Sequence, residues 1–296
     1  MSVRAEEAEL PNTNGPDERM RAYAAGARIS KEKMAREAPL DAAALEAVEA
    51  ADIVVVEGCY DHVERVLDAL ELPYRRVSPG QLEELPLRPE QLLVVNCPGT
   101  VSRAALERVR HFVEAGGSLF TTDWALRHVI EPAFPNMVAY NERATADDVV
   151  RIEVRAHDNP FLTGVMDGRD DPQWWLEGSS YPIRVLDPRV SVLITSRELE
   201  EKYGEAAVAV TFPWGRGEVF HMISHYYLQR TELRTARHTA GAASYLAEKG
   251  VALPPEMVAN LRLGDVESAG TSARMLANLV AAKKLRHTKR TDRPDA

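Results

Sequence analysis

Hydrophobic positions along the chain follow two rhythms. Short runs of aliphatic and β-branched residues at 53–56, 74–77, 92–96, 118–121, 149–154, 190–195, 207–212 and 218–223 predict strands. Two of them, 92–96 and 118–121, are apolar or β-branched runs that suit strands covered on both faces. Elsewhere apolar residues recur three and four apart. Val63, Val66, Leu67 and Leu70 share one helical face, and helices are also predicted over 22–37, 41–50, 124–131, 232–248 and 256–285. Asp41 is the expected N-cap of the second of these. Strands alternating with helices predict an α/β fold built on a parallel sheet.

The clearest unit spans 92–128. Ser102 is placed to cap a helix carrying Leu106, Val109 and Val113, and Gly116-Gly117 supplies its stop before the next strand. In parallel sheets ligands collect beyond the carboxyl ends of the strands, here 96–99 and 121–124. Asn96, Cys97 and Trp124 are therefore expected binding residues.

The same unit, with its Pro/Gly turn after one strand and a Gly-Gly before the next, resembles the class I glutamine amidotransferase-like superfamily, in particular its trehalose-utilisation-like and uncharacterised branches. HDNPFLTGV at 157–165, the strand 207–212 and GRGEVFHMISH at 215–225 are similar to further segments of that family in the same order, so the resemblance covers 51–248. It implies a three-layer, flavodoxin-like α/β fold with a mostly parallel sheet and helices on both faces. It also implies that His225 matches the family histidine. The family's nucleophilic cysteine sits at the elbow after the Gly-Gly strand, where this chain has Asp123; Cys97 lies at the preceding strand end. Glutamine hydrolysis through a cysteine thioester is not expected.

Composition sets the class. The 296 residues are 45% hydrophobic and 27% charged, with a formal net charge of -9, which argues against general nucleic-acid binding. Two cysteines, Cys59 and Cys97, form no zinc or redox motif, and suit a reducing cytoplasm. No apolar run reaches the ~20 residues that span a bilayer, and the N-terminus has no signal-peptide core. The expected organisation is a flexible lead at 1–20, a helical extension at 21–50, the α/β domain at 51–250, a C-terminal helical extension at 251–286 and a basic disordered tail at 287–296.

Candidate chemistry gathers late in the strands. Asp123 is either the N-cap of the helix after it, where the helix dipole lowers its pKa, or a functional carboxylate. His225 is either a general base or metal ligand, or a buried hydrogen-bonding residue. His221 lies four residues before it. Trp174 and Trp175 are adjacent in an extended stretch, so they point to opposite sides; either at least one packs on a lid, partner or ligand, or both pack in a second layer of the fold, and Glu177 follows them. Arg230 opens a cationic run with Arg234, Arg237 and His238 that is either an anion site or a solvated helix face.

Three readings result. The first is a catalytically divergent amidotransferase-like domain acting as a binding or assembly module, without glutaminase activity. The second is a hydrolase using Asp123 and His225 as catalytic residues, metal-assisted or not. The third, resting on the resemblance, is a carbohydrate-related protein of the trehalose-utilisation type. Asn96, Cys97, Trp124, Trp175, Glu177, His221 and Arg230 are the expected binding residues, with no metal ligand and no cofactor assigned. The expected partner is a small molecule or a protein, with homo-oligomerisation open and neither membrane nor nucleic acid expected.

Overall fold

The computed structural model describes residues 15–291. The described residues form the strands β1 (Ile53–Val56), β2 (Arg75–Val77), β3 (Leu92–Val95), β4 (Ser118–Thr122), β5 (Val138–Tyr140), β6 (Asp148–Arg151), β7 (Glu153–Val154), β8 (Gln173–Leu176), β9 (Ile183–Val185), β10 (Ser191–Thr195), β11 (Ala207–Trp214) and β12 (Gly217–Met222), of which β5, β8 and β9 have no counterpart among the predicted runs. Eight of them form one sheet in the order β2-β1-β3-β4-β12-β11-β10-β7, and the pairs β5-β9 and β6-β8 form small antiparallel ribbons. Pairing is parallel from β2 through β12 and antiparallel from β12 to β7. The protein is thus mixed α/β with a large, mostly parallel sheet.

The order follows from the connections. From β1 the chain passes through the helix Val63–Ala69 to β2 on one side; from β3 it passes through the helix Arg103–Glu114 to β4 on the other. Right-handed crossovers in opposite directions place these two helices on opposite faces of the sheet. Consequently β1, β3 and β4 are buried at every position, which is why their runs carry no polar alternation. The Ser102 cap is present, its hydroxyl accepting from Ala105 N at 3.1 Å.

The terminal helices belong to the same core. The first runs Pro16–Glu37, with proline in its opening turn followed by Asp17 and Glu18, which favour a helix start. It begins inside the stretch expected as a flexible lead; residues 1–14 of that lead lie outside the described residues. The last helix, Leu263–Thr291, extends through much of the expected tail, of which 292–296 lie outside the described residues. These two helices cross where Gly26 meets Gly270. A Cβ on Gly26 would stand 2.7 Å from Gly270 N, so only glycine permits this approach. Among the described residues no helix is long and apolar enough to cross a membrane.

Several boundaries differ from the sequence pattern. The helix expected over 232–248 is broken into Ala236–Thr239 and Ala242–Lys249, because Gly241 forms a β-bridge with Arg262 and Ala242 N donates to Leu261 O. The run 149–154 divides between β6, paired with β8, and β7, at the sheet edge. The loop expected at 135–147 contains β5, and Asp41 lies in the first turn of Pro39–Glu46 rather than at its cap.

Candidate functional site

Asp123 follows β4 directly and takes φ 46°, a left-handed backbone that a non-glycine residue holds at a cost of about 1–3 kcal/mol. Its backbone N–H donates to Met222 O, continuing the β4–β12 pairing by one residue. The carbonyl accepts from Leu126 N, so the turn is closed by backbone atoms. The side chain does not cap the helix. It points back across the strand ends, where Oδ2 accepts from Ser180 Oγ at 3.1 Å and Oδ1 from Tyr181 N at 3.1 Å. The capping reading of Asp123 is corrected accordingly. The effect on its acidity is also the reverse of the expected one: burial pushes the carboxyl up to about 6, against the pull of His225.

His225 stands three residues beyond β12, the neighbour of β4. Its Nε2 is 3.4 Å from Asp123 Oδ2, and its Nδ1 is 2.6 Å from Glu177 Oε2. Both contacts lie off hydrogen-bonding angles, so neither ring nitrogen has an aligned partner among the described residues. Burial opposes the imidazolium, but Asp123, Cys97 and Glu177 outweigh it and hold the ring's proton well above the ordinary histidine range. Trp175 covers the ring edge-on at 5.9 Å.

Cys97 completes the cluster, its Sγ 4.0 Å from Asp123 Oδ2. Its backbone N–H donates to Thr122 Oγ1. A side chain on Gly58 would meet Cys97 O at 2.2 Å, so the bare backbone after β1 lets the β3 end close over it. Burial drives the thiol up to about 11, with His225 opposing. It is therefore a thiol near neutrality, and a poor nucleophile. Exposure of the three is 1% for Cys97 and 2% for Asp123 and for His225, so the cluster is shut from solvent except along Glu177.

The other expected residues divide. Trp124 walls the site, donating Nε1–H to Ser179 O at 2.7 Å, stacking on Tyr181 and meeting Tyr60 edge-on. Trp174 and Trp175 do point to opposite sides, yet both are buried: Trp174 bonds Thr271 of the last helix, and Trp175 bonds Asp147 at 2.6 Å. Trp175 borders the Asp123–His225 cluster, whereas Trp174 takes the packing role, because the last helix covers its face. Asn96 is used structurally, receiving Val63 N and donating to Glu64. His221 turns to Thr121 at 2.8 Å, and burial lowers its pKa to about 3. Arg230 pairs with Asp147 and Glu232, outside the cluster. The cationic run is neutralised internally, Arg234 by Glu198 and Glu232, and Arg237 by Glu248 and Glu267, so the anion-site reading is not favoured.

Sequence reasoning missed Ser180, Tyr181 and Asp61. Asp61, 1% exposed, accepts from Tyr226 N at 2.8 Å and Tyr227 N at 3.2 Å, pinning the segment directly after His225. The only available signal was an acid in the glycine-containing loop after a buried strand.

Several solved structures align with the chain. A protein from Thermoplasma acidophilum assigned as a GMP synthase subunit aligns at 13% identity over 80% of this chain and 96% of its own, with a TM-score of 0.48. A glutamine amidotransferase from Thermotoga maritima aligns at 12% identity over 78% and 97%, with a TM-score of 0.45. A β-galactosidase from Bacillus circulans sp. alkalophilus aligns at 14% identity over 68% of this chain and 31% of its own, at 0.42. The chain spans less than a third of the glycosidases it matches. No family model and no curated protein matches the sequence.

Proposed function

We propose that this chain is a catalytically divergent, flavodoxin-like amidotransferase-like domain that acts as a binding or assembly module and has no glutaminase activity. The observation that carries the reading is Asp123. It occupies the strained turn after β4, φ 46°, where the resemblance puts a nucleophilic cysteine. A carboxylate there cannot form the thioester that cysteine chemistry requires. Cys97 does not replace it, since its thiol is buried and raised to about 11. The strand order β2-β1-β3-β4-β12 and the position of His225 beside the elbow support the flavodoxin-like part of the proposal.

A second reading, a hydrolase using Asp123 and His225, is favoured by one observation: the two side chains meet at 3.4 Å beyond adjacent strand ends. Ammonia release from L-glutamine separates the readings from an active amidotransferase. The expected result for the full chain is no release above buffer; release that Cys97→Ala abolishes overturns the proposal.

A further inference from the structure

Cys97, Asp123 and His225 present one sulfur, one oxygen and one nitrogen ligand atom, all within 4.8 Å of one another and all on buried residues. Around a tetrahedral ion with bonds of ~2.0–2.3 Å, ligand atoms stand about 3.3–3.8 Å apart. The distances from Asp123 Oδ2, 3.4 Å to His225 Nε2 and 4.0 Å to Cys97 Sγ, are already close to that spacing. A second observation points the same way. His225 is 2% exposed, yet among the described residues neither of its ring nitrogens has an aligned hydrogen-bond partner, and its Nε2 is turned into the cluster. Buried polar atoms left without partners are costly, and an ion at the centre of the three donors would satisfy this one.

The surroundings fit such a role. The Glu177 carboxylate lies 2.6 Å from His225 Nδ1, and although the contact is not aligned as a hydrogen bond, it stands at the nitrogen through which a carboxylate orients a metal-binding imidazole. Ser180 Oγ and Tyr181 N hold the Asp123 carboxylate in place. We propose that Cys97 Sγ, Asp123 Oδ2 and His225 Nε2 form a three-ligand site for a divalent transition metal of the zinc class, with Glu177 as its positioning residue and a fourth position open to water or a ligand. The mixed sulfur, nitrogen and oxygen set selects this class over magnesium or calcium, which take oxygen ligands. Coordination sends the thiol proton, and the proton on Nε2, to solvent. The site is independent of whether the chain hydrolyses glutamine.

The test is metal binding by the full chain, stripped with a chelator and titrated separately with Zn²⁺ and Co²⁺. The expected result is a single ion per chain and, with Co²⁺, a thiolate-to-metal absorption band that Cys97→Ser removes. Asp123→Asn and His225→Gln weaken Zn²⁺ binding at least tenfold. Glu177→Gln weakens it by about 10–100-fold and leaves the thiolate band, as a positioning role requires. Thermal melts establish that each variant folds; where one does not, the cobalt spectrum of the unaltered chain decides. Absence of stoichiometric binding, or of a thiolate band, overturns the site, as does binding that Cys97→Ser leaves unchanged.

Discussion

The Trp175 indole stands edge-on to the His225 imidazole, with ring centroids 5.9 Å apart and planes at 82°, while its Nε1–H is held by Asp147 Oδ1 at 2.6 Å. Asp147 in turn pairs with Arg230 at 3.1 Å. Arg230 therefore reaches the cluster's wall through Asp147 and Trp175.

Trp175 can be divided into its two contributions. Trp175→Phe keeps an aromatic cover but loses the bond to Asp147, and the expected cost is about 1–2 kcal/mol. Trp175→Ala removes the cover as well and leaves a cavity against His225, with an expected cost of about 3–5 kcal/mol. Urea denaturation of both variants measures the difference. Equal losses would mean that the hydrogen bond, and not the packing, holds this wall.

How far the site was legible follows from where each contact comes from. Asp123 and His225 follow two runs of plain strand periodicity, but the runs do not say that β4 and β12 are neighbours; that the two ends meet was implied by the resemblance, and the parallel pairing of the strands brings them together. The direction of the Asp123 side chain could not. Capping is a local preference, and here it loses to Ser180 and Tyr181, more than fifty residues along the chain. Period-two alternation separated Trp174 from Trp175, but Trp174 is covered by Thr271 of a helix whose docking no local pattern announces. The cationic run misled for the same reason: Arg234 and Arg237 find carboxylates in distant segments. The fold class depended on local runs, which is why it was the more legible part.

His221 should make stability depend on pH. In the unfolded chain it protonates near an ordinary value of about 6.5. In the folded protein burial lowers its pKa to about 3, with Nδ1 held at 2.8 Å from Thr121. Between those values the unfolded state binds the extra proton. The stabilisation is thus complete above pH ~6.5 and is lost as pH falls toward about 3, by at most ~1.4 kcal/mol per unit. Denaturation of the unaltered chain and of His221→Gln at several pH values isolates this contribution. Their stability difference should shrink or reverse as pH drops through that window; a constant difference would show that His221 is not kept neutral by folding.

Asp61 provides the last prediction, because it holds the segment after His225 through backbone N–H groups. Its carboxylate accepts three backbone N–H groups, from His62 at 2.7 Å, Tyr226 at 2.8 Å and Tyr227 at 3.2 Å, and it is 1% exposed. Asp61→Asn replaces one acceptor oxygen with a donor that faces other donors. Asp61→Ala leaves those buried N–H groups without any acceptor. Hydrogen bonds to a charged group contribute about 1.5–3 kcal/mol each, and more than one is lost in the alanine variant, so alanine should cost more than asparagine. Hydrogen exchange gives the sharper readout. Loss of the carboxylate should raise exchange at Tyr226 and Tyr227 while β1 and β3 stay protected, since those strands are held by their own parallel ladder. Exchange that rises equally throughout the sheet would assign Asp61 to global stability alone, and exchange unchanged at both tyrosines would remove it as the anchor of the histidine segment.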